Sequence, residues 1–475
     1  MRKPFSIDSP LRLAAVLAAA FTLGGCATFS KDGGIGSVEQ AAREHLNKEV
    51  FWAKTDADHD TLERRVKELL AKPLSVDDAV QIALFNNRGL QASFFELGIA
   101  EADVVQAGRL PNPAFSMLRA RNGDAFTIEQ TLTVNVLSLL TMPTMLAMQR
   151  RRFVQSQGSV ALEMLTLAAE TRKAYYLAVA ASESAGYMRQ VRQAAEAGAE
   201  LARRMAQVGN FNKLQQAREH GFYADAILNL ARAEQAQLGA REKLTRLLGL
   251  WGEQTQFVLP ERLPELPASP NELQTIERTA ITQRLDVQAA KLETEAMAQN
   301  LGLTKATRFI NALEFGPARI LEGERSDPYR YGFEVRFELP IFDWGTARVA
   351  KAESIYMQAV NRAAETAINA RSEVRQAYLD YRSAHDIARH YRDEIVPIRK
   401  RIADENQLRY NGMLIGVFDL LADARSQITS VNGYIEAQRD FWLAQADLEM
   451  AMIGKPSMSR SPKVSIVGSA AAGEH

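Results

Sequence analysis

Cysteine is almost missing from this chain: Cys26 is the only one in 475 residues. One thiol cannot make an intrachain disulfide, so packing and association must supply the stability. Net charge is also missing, with 57 basic residues against 57 acidic ones, and a neutral balance gives no sign of a nucleic-acid partner. No stretch beyond the N-terminus reaches the roughly 18 uninterrupted apolar residues of a membrane-spanning helix. If the chain crosses a bilayer, it must do so with strands. Catalytic patterns are absent too. There is no HExxH, CxxC, phosphate loop or Ser-His-Asp arrangement, and His385 and His390, five apart, do not share a helix face. The chain is therefore read as a non-enzyme without cofactor or resident metal.

The N-terminus is a targeting segment. Arg2, Lys3 and Arg12 precede a short apolar core, Leu13 to Leu23, too short for a permanent span. Residues 1–25 read as a secretory signal peptide. Leu23-Gly24-Gly25-Cys26 resembles a bacterial lipobox, which makes Cys26 the expected lipidation site, as an anchor rather than a span. An ordinary signal peptide with an incidental cysteine is the alternative. Ala27, where an aspartate would mean retention, implies sorting to the outer membrane in a Gram-negative lipoprotein.

The rest of the chain is written twice. Val76 to Ala92 recurs as Leu273 to Ala289, each copy giving a short helix, a turn and a second helix. Two strand-like segments follow, then a very long helix, a glycine-marked reversal and another helix. This divides the chain into residues 26–72, an N-terminal segment; 73–250, a first repeat; 251–270, a proline-rich linker carrying Pro260, Pro264, Pro267 and Pro270; 271–454, a second repeat; and 455–475, a disordered tail.

Two segments alternate with period two: Phe126 to Val136, apart from Gln130, and Phe333 to Leu339. In the second, Glu334, Arg336 and Glu338 oppose Phe333, Val335, Phe337 and Leu339, so one face is wet and the other apolar. Weaker partners lie around Phe115–Arg121 and Ala312–Leu321, the latter broken by Gly316 and Pro317. Asn122-Gly123 suits a tight hairpin; a polar loop from Glu322 to Pro328 joins the second pair. Helices of roughly 60 residues, expected from about Thr144 to Ala206 and from about Trp344 to Gln407, would reach about 90 Å. Shorter ones are expected over Lys213–Leu247 and Asp419–Met452. Four strands cannot close a barrel in lipid, so any barrel must be shared between chains, two or three by this argument alone.

From about Pro73 to Gly454 the pattern resembles the TolC-type outer-membrane efflux factor family. The opening helix Leu74 to Asn87, the following Leu90-Gln91-Ala92, the exit Leu339-Pro340-Ile341-Phe342-Asp343-Trp344-Gly345, and Arg409-Tyr410-Asn411-Gly412 before Asp419 to Ala424 carry the likeness. The resemblance implies a mainly α fold with a small β part: a homotrimer whose long helices form an α-barrel and whose strands share a 12-stranded transmembrane β-barrel. It implies a lipid-anchored exit duct extending into the periplasm, with a periplasmic adaptor and an inner-membrane pump as partners and outer-membrane lipid around it. Residues 26–72 and the linker would lie at the equator of the α-barrel. Asp419 and Asp423, four apart on one helix, are similar to the acidic residues lining the family's periplasmic gate; a solvated helix face is the other reading. Gly412 stands one residue earlier than the family's tip glycine, with Met413 in its place. The first tip, Val208 to Leu214, lacks the acidic pair.

Glu334, Arg336 and Glu338 are expected to face the lumen. Met142, Met145 and Met148 have thioethers suited to Cu(I), but without a histidine or cysteine beside them they read as packing. Gln149 to Arg152 would lie near the barrel's periplasmic rim, solvated or touching lipid phosphate. Trp344 suits an interfacial anchor or the core. The rival functions are a periplasmic coiled-coil lipoprotein acting as adaptor or scaffold, which needs no strands with one apolar face, and a type I secretion duct.

Overall fold

The computed structural model describes residues 28–270, 276–310, 312–324 and 326–456. The signal peptide, Cys26 and most of the C-terminal tail lie outside the described residues. The element order is α1 (Gly36–Leu46), α2 (Asp56–Leu70), α3 (Val76–Asn86), α4 (Arg88–Ala107), β1 (Ala114–Asn122), β2 (Ala125–Asn135), α5 (Val136–Gln207) and α6 (Lys213–Leu248). The second repeat follows in parallel: α7 (Ile276–Gln283), α8 (Leu285–Ala306), β3 (Leu313–Gly323), β4 (Arg330–Phe337), α9 (Thr346–His390), α10 (Val396–Asn411) and α11 (Val417–Ile453). The duplication is visible in side chains as well as in order. Gln91 Nε2 donates to the Phe85 carbonyl six residues back, and Gln288 Nε2 donates to the Thr282 carbonyl at the same offset. The repeated glutamine closes the turn between the short and the long helix in both copies.

Two compact units cut across the repeats. The first joins the chain up to Glu68 with Leu84–Leu165 and Ile281–Arg371, and so holds all four strands. Its N-terminal segment is held by Gln91, whose Oε1 accepts from Ala53 N–H at 3.1 Å while its Nε2 also donates to Phe51 O at 2.8 Å. Phe94 and Leu97 are fully buried beside it. The strands form one antiparallel meander, β1-β2-β3-β4. The β4 strand begins at Arg330 and ends at Phe337, three and two residues earlier than the alternation suggests. Glu338 and Leu339 therefore lie past its end.

The β3 strand runs unbroken through Gly316 and Pro317. Its ladder with β2 keeps one register but skips two residue pairs there, between Thr131↔Ala318 and Val134↔Phe315. Proline has no N–H to give, and a Cβ on Gly316 would overlap the Leu132 carbonyl. The close approach of two backbones is what makes the glycine necessary.

The second unit comprises Leu69–Ala83, Thr166–Ala280 and the chain from Ser372 onward. Its core includes Val374, Tyr381, Phe441 and Leu448. The proline-rich segment is strapped onto it rather than free. Glu183 accepts from Leu263 N–H at 3.1 Å, Trp442 Nε1 donates to Pro264 O at 3.1 Å, and His385 Nε2 lies 3.1 Å from Pro267 O. Half-burial pushes the Glu183 carboxyl above its usual range, partly offset by that N–H.

The long helices differ from expectation at their prolines. The α5 helix has 72 residues and starts at Val136, eight before Thr144, with Pro143 inside it. Asn135 caps it, its Oδ1 accepting from Ser138 N–H at 2.8 Å, so the start signal is the asparagine and not the proline. At 1.5 Å per residue this helix is about 108 Å long. The matching helix of the second repeat is not continuous: a π turn, Tyr391–Ile395, separates α9 from α10, where Pro397 is an early residue. A proline ring collides with the carbonyl four residues back, and a widened turn makes room for it.

Candidate functional site

The sheet has two unlike faces. Registration puts Glu334 and Arg336 of β4 on one side with Glu314, Gly316 and Ala318 of β3, Glu129, Thr131 and Thr133 of β2, and Ser116 of β1. Arg336 donates to Glu334 at 3.0 Å and to Glu314 at 3.4 Å, and Ser116 and Thr131 hydroxyls are 2.7 Å apart. Leu118 and Ile320 interrupt this polar face. On the other side stand Phe115, Met117, Leu132, Phe315, Phe333, Val335 and Phe337, all exposed. The break in the β2 alternation has a partner: Gln130 pairs in register with Arg319, whose Nε donates to its Oε1 at 2.5 Å. A buried core does not explain so much exposed apolar surface on one face; a contiguous patch of this kind marks an interaction surface. The outermost strands, β1 and β4, each have one hydrogen-bonding edge without a strand partner among the described residues.

Where β4 leads into α9, Gly345 has φ +71°, and a Cβ there would sit 2.5 Å from Arg308 O. Trp344 is 59% exposed and meets Phe309 edge-on at 6.2 Å. It is therefore a surface aromatic, as an interfacial anchor requires, and not a core residue. Ile341 and Phe342 beside it are exposed as well. Met148 is buried while Met145 is partly exposed, which fits packing along a helix flank. Arg151 is engaged by Glu295 at 2.8 Å. No helix of the described residues is long and apolar enough to cross a membrane.

In the second unit the helical reversals of the two repeats match. Asn210 N–H reaches Met205 O and Gly209 N–H reaches Ala206 O; Leu414 N–H reaches Arg409 O and Met413 N–H reaches Tyr410 O. Both are Schellman endings. The left-handed residue is Gly209 at φ +82° in one and Met413 at φ +59° in the other, so Gly412 is not the residue that reverses the chain. Asp419 falls in the first turn of α11, its side chain outside the described residues. Asp423 accepts from Asn406 of α10, so its carboxylate is tied across the helical hairpin. Further along, Arg425 donates to the buried Glu219 at 2.8 Å and lies over Phe222 at 4.2 Å. That pair joins α11 to α6, and the sequence reading missed it. Spacing within one helix cannot reveal a contact between residues 206 positions apart.

No protein-family model matches the chain, and the comparison with curated proteins found no match. Solved structures do match. The Campylobacter jejuni CmeC outer membrane channel is 18% identical with a TM-score of 0.67, over 81% of this chain and 87% of that one. The open state of the Neisseria gonorrhoeae MtrE outer membrane channel is 18% identical with a TM-score of 0.67, over 80% and 89%. The outer membrane protein VceC of Vibrio cholerae is 14% identical with a TM-score of 0.67, over 80% and 96%. Identities this low speak for the fold, and the fold spans nearly the whole of each channel: this chain has the fold of the TolC-type outer-membrane channels.

Proposed function

We propose that three copies of this chain form a passive exit duct across the outer membrane and periplasm, the outer-membrane component of a tripartite efflux or export system. The carrying observation is the open four-stranded sheet with one exposed apolar face and unpaired edges. In lipid every strand edge must be paired, and three such sheets joined β4 to β1 give twelve strands, enough to enclose a wet lumen. A continuous helix of about 108 Å, α5, suits a periplasmic conduit, and the fold is that of solved channels. An adaptor or scaffold lipoprotein has no use for a sheet with an apolar outside. The duct does no chemistry of its own; a periplasmic adaptor and an inner-membrane pump would supply energy and selectivity. Cys26 would anchor it to lipid, and Cys26→Ser should abolish incorporation of labelled fatty acid; equal labelling of the variant would reject that site.

The sheet reading is tested in outer-membrane fractions. A charge on a lipid face costs about 2–4 kcal/mol at the midplane and much less facing water. Val335→Arg should therefore lower folded trimer well below the level reached by Glu334→Arg. Equal damage would mean that the faces are assigned wrongly.

A further inference from the structure

The apolar face of the sheet is not apolar throughout. Arg119 and Arg121 on β1 and Arg319 on β3 stand on it, all exposed and all in the half nearer the hairpins. Every glutamate of the four strands falls on the opposite face: Glu129, Glu314, Glu322 and Glu334. The arginines lean on aromatic rings, Arg119 and Arg121 over Phe126 at 5.8 and 5.3 Å and Arg319 over Tyr329 at 5.0 Å. Arg121 also lies 3.7 Å from Asp124 in the hairpin loop. Such stacking orders the guanidinium planes and leaves N–H forks for an anion.

Their level on the strands is informative. The helices leave the sheet at one end and the hairpins close it at the other. Apolar side chains continue toward the helix end through Phe315, Val335 and Phe337 to the exposed Ile341 and Phe342. A hydrocarbon band centred on those residues puts the three arginines at the headgroup level of the hairpin-side leaflet, where a charge costs little. We propose that Arg119, Arg121 and Arg319 bind the phosphate groups of the phosphorylated glycolipid in that outer leaflet. Guanidinium forks match phosphate oxygens in pairs, and a cationic cluster without a carboxylate on its own sheet face is the complement of a phosphorylated headgroup. The inference rests on the reading that this face meets lipid.

The test uses the full-length protein in phosphatidylcholine nanodiscs, titrated with diphosphorylated lipid A, with its dephosphorylated form and with inorganic phosphate. The parent should favour phosphorylated lipid A at least about tenfold. Arg119→Gln/Arg121→Gln/Arg319→Gln should insert as the parent does and lose that preference. Arg330→Gln, on the polar face, should keep it. Equal affinity for the two lipids, an undiminished preference in the triple variant, or displacement by equimolar inorganic phosphate would overturn the proposal while the channel reading stands. A parent that fails to enter the nanodisc would remove both.

Discussion

Asp419 and Asp423 are one helical turn apart, and the carboxylate of Asp423 is engaged by Asn406 of the neighbouring helix. The family likeness proposes Asp419 for a carboxylate ring at the periplasmic entrance of a trimer. Three carboxylates held close disfavour full ionisation and attract cations. Asp419→Ala should then weaken cation selectivity and divalent block in planar-bilayer recordings of purified trimers. Unchanged selectivity and block would reduce Asp419 to a helix-end charge worth about 0.3–1 kcal/mol of stability. The spacing of the pair was legible; the tie of Asp423 to Asn406 was not, because Asn406 is contributed by another helix. The same limit hid Arg425 and Glu219. By contrast Glu334 and Arg336 were readable from one strand alone, since alternation sorts side chains between faces without reference to a partner. Glu338 followed the same rhythm and fell outside, because β4 ends at Phe337 and periodicity carries no stop signal.

At the scale of elements, the order and type of helices and strands were written in the repeat, while the ends were set by caps and prolines. The first long helix was expected from about Thr144, just after Pro143, but the Asn135 cap begins α5 earlier. Pro397 falls inside the second expected long helix, Trp344 to Gln407, and is accommodated by a π turn. Gly316 and Pro317 argued against a strand that nonetheless forms, because its neighbours on both sides hold it and the glycine lets β2 come close. The helical tip shows how the two copies diverged. Both end in the same hydrogen bonds, yet Met413 must hold a left-handed backbone that Gly209 adopts without strain. A side chain in that conformation costs about 1–2 kcal/mol, part of which glycine returns through its freer unfolded state. Met413→Gly should therefore stabilise the tip by about 0.5–1 kcal/mol, seen as slower hydrogen exchange over residues 408–420. Faster exchange there would mean that the methionine makes a contact the single chain does not show.

For the whole molecule, the proposed trimer rests on the exposed apolar face and on the outer edges of β1 and β4, which have no strand partner among the described residues. Sequence alone led as far as a shared barrel, since closure is demanded by the bilayer; the number of copies came from family likeness and not from any residue. The proline-rich segment, read as a spacer from composition, is instead fastened to helices by Glu183, Trp442 and His385, which composition could not disclose. The claim on which everything else depends is that the Glu334 face lines a water-filled pore and the Val335 face meets lipid. Single cysteines placed by Glu334→Cys and Val335→Cys, each in a Cys26→Ser background, can be treated with a charged, water-soluble thiol reagent during planar-bilayer recording. The account predicts a step change in single-channel conductance for Glu334→Cys and none for Val335→Cys. Modification at Val335→Cys with Glu334→Cys silent, or trimers that conduct no ions at all, would contradict it.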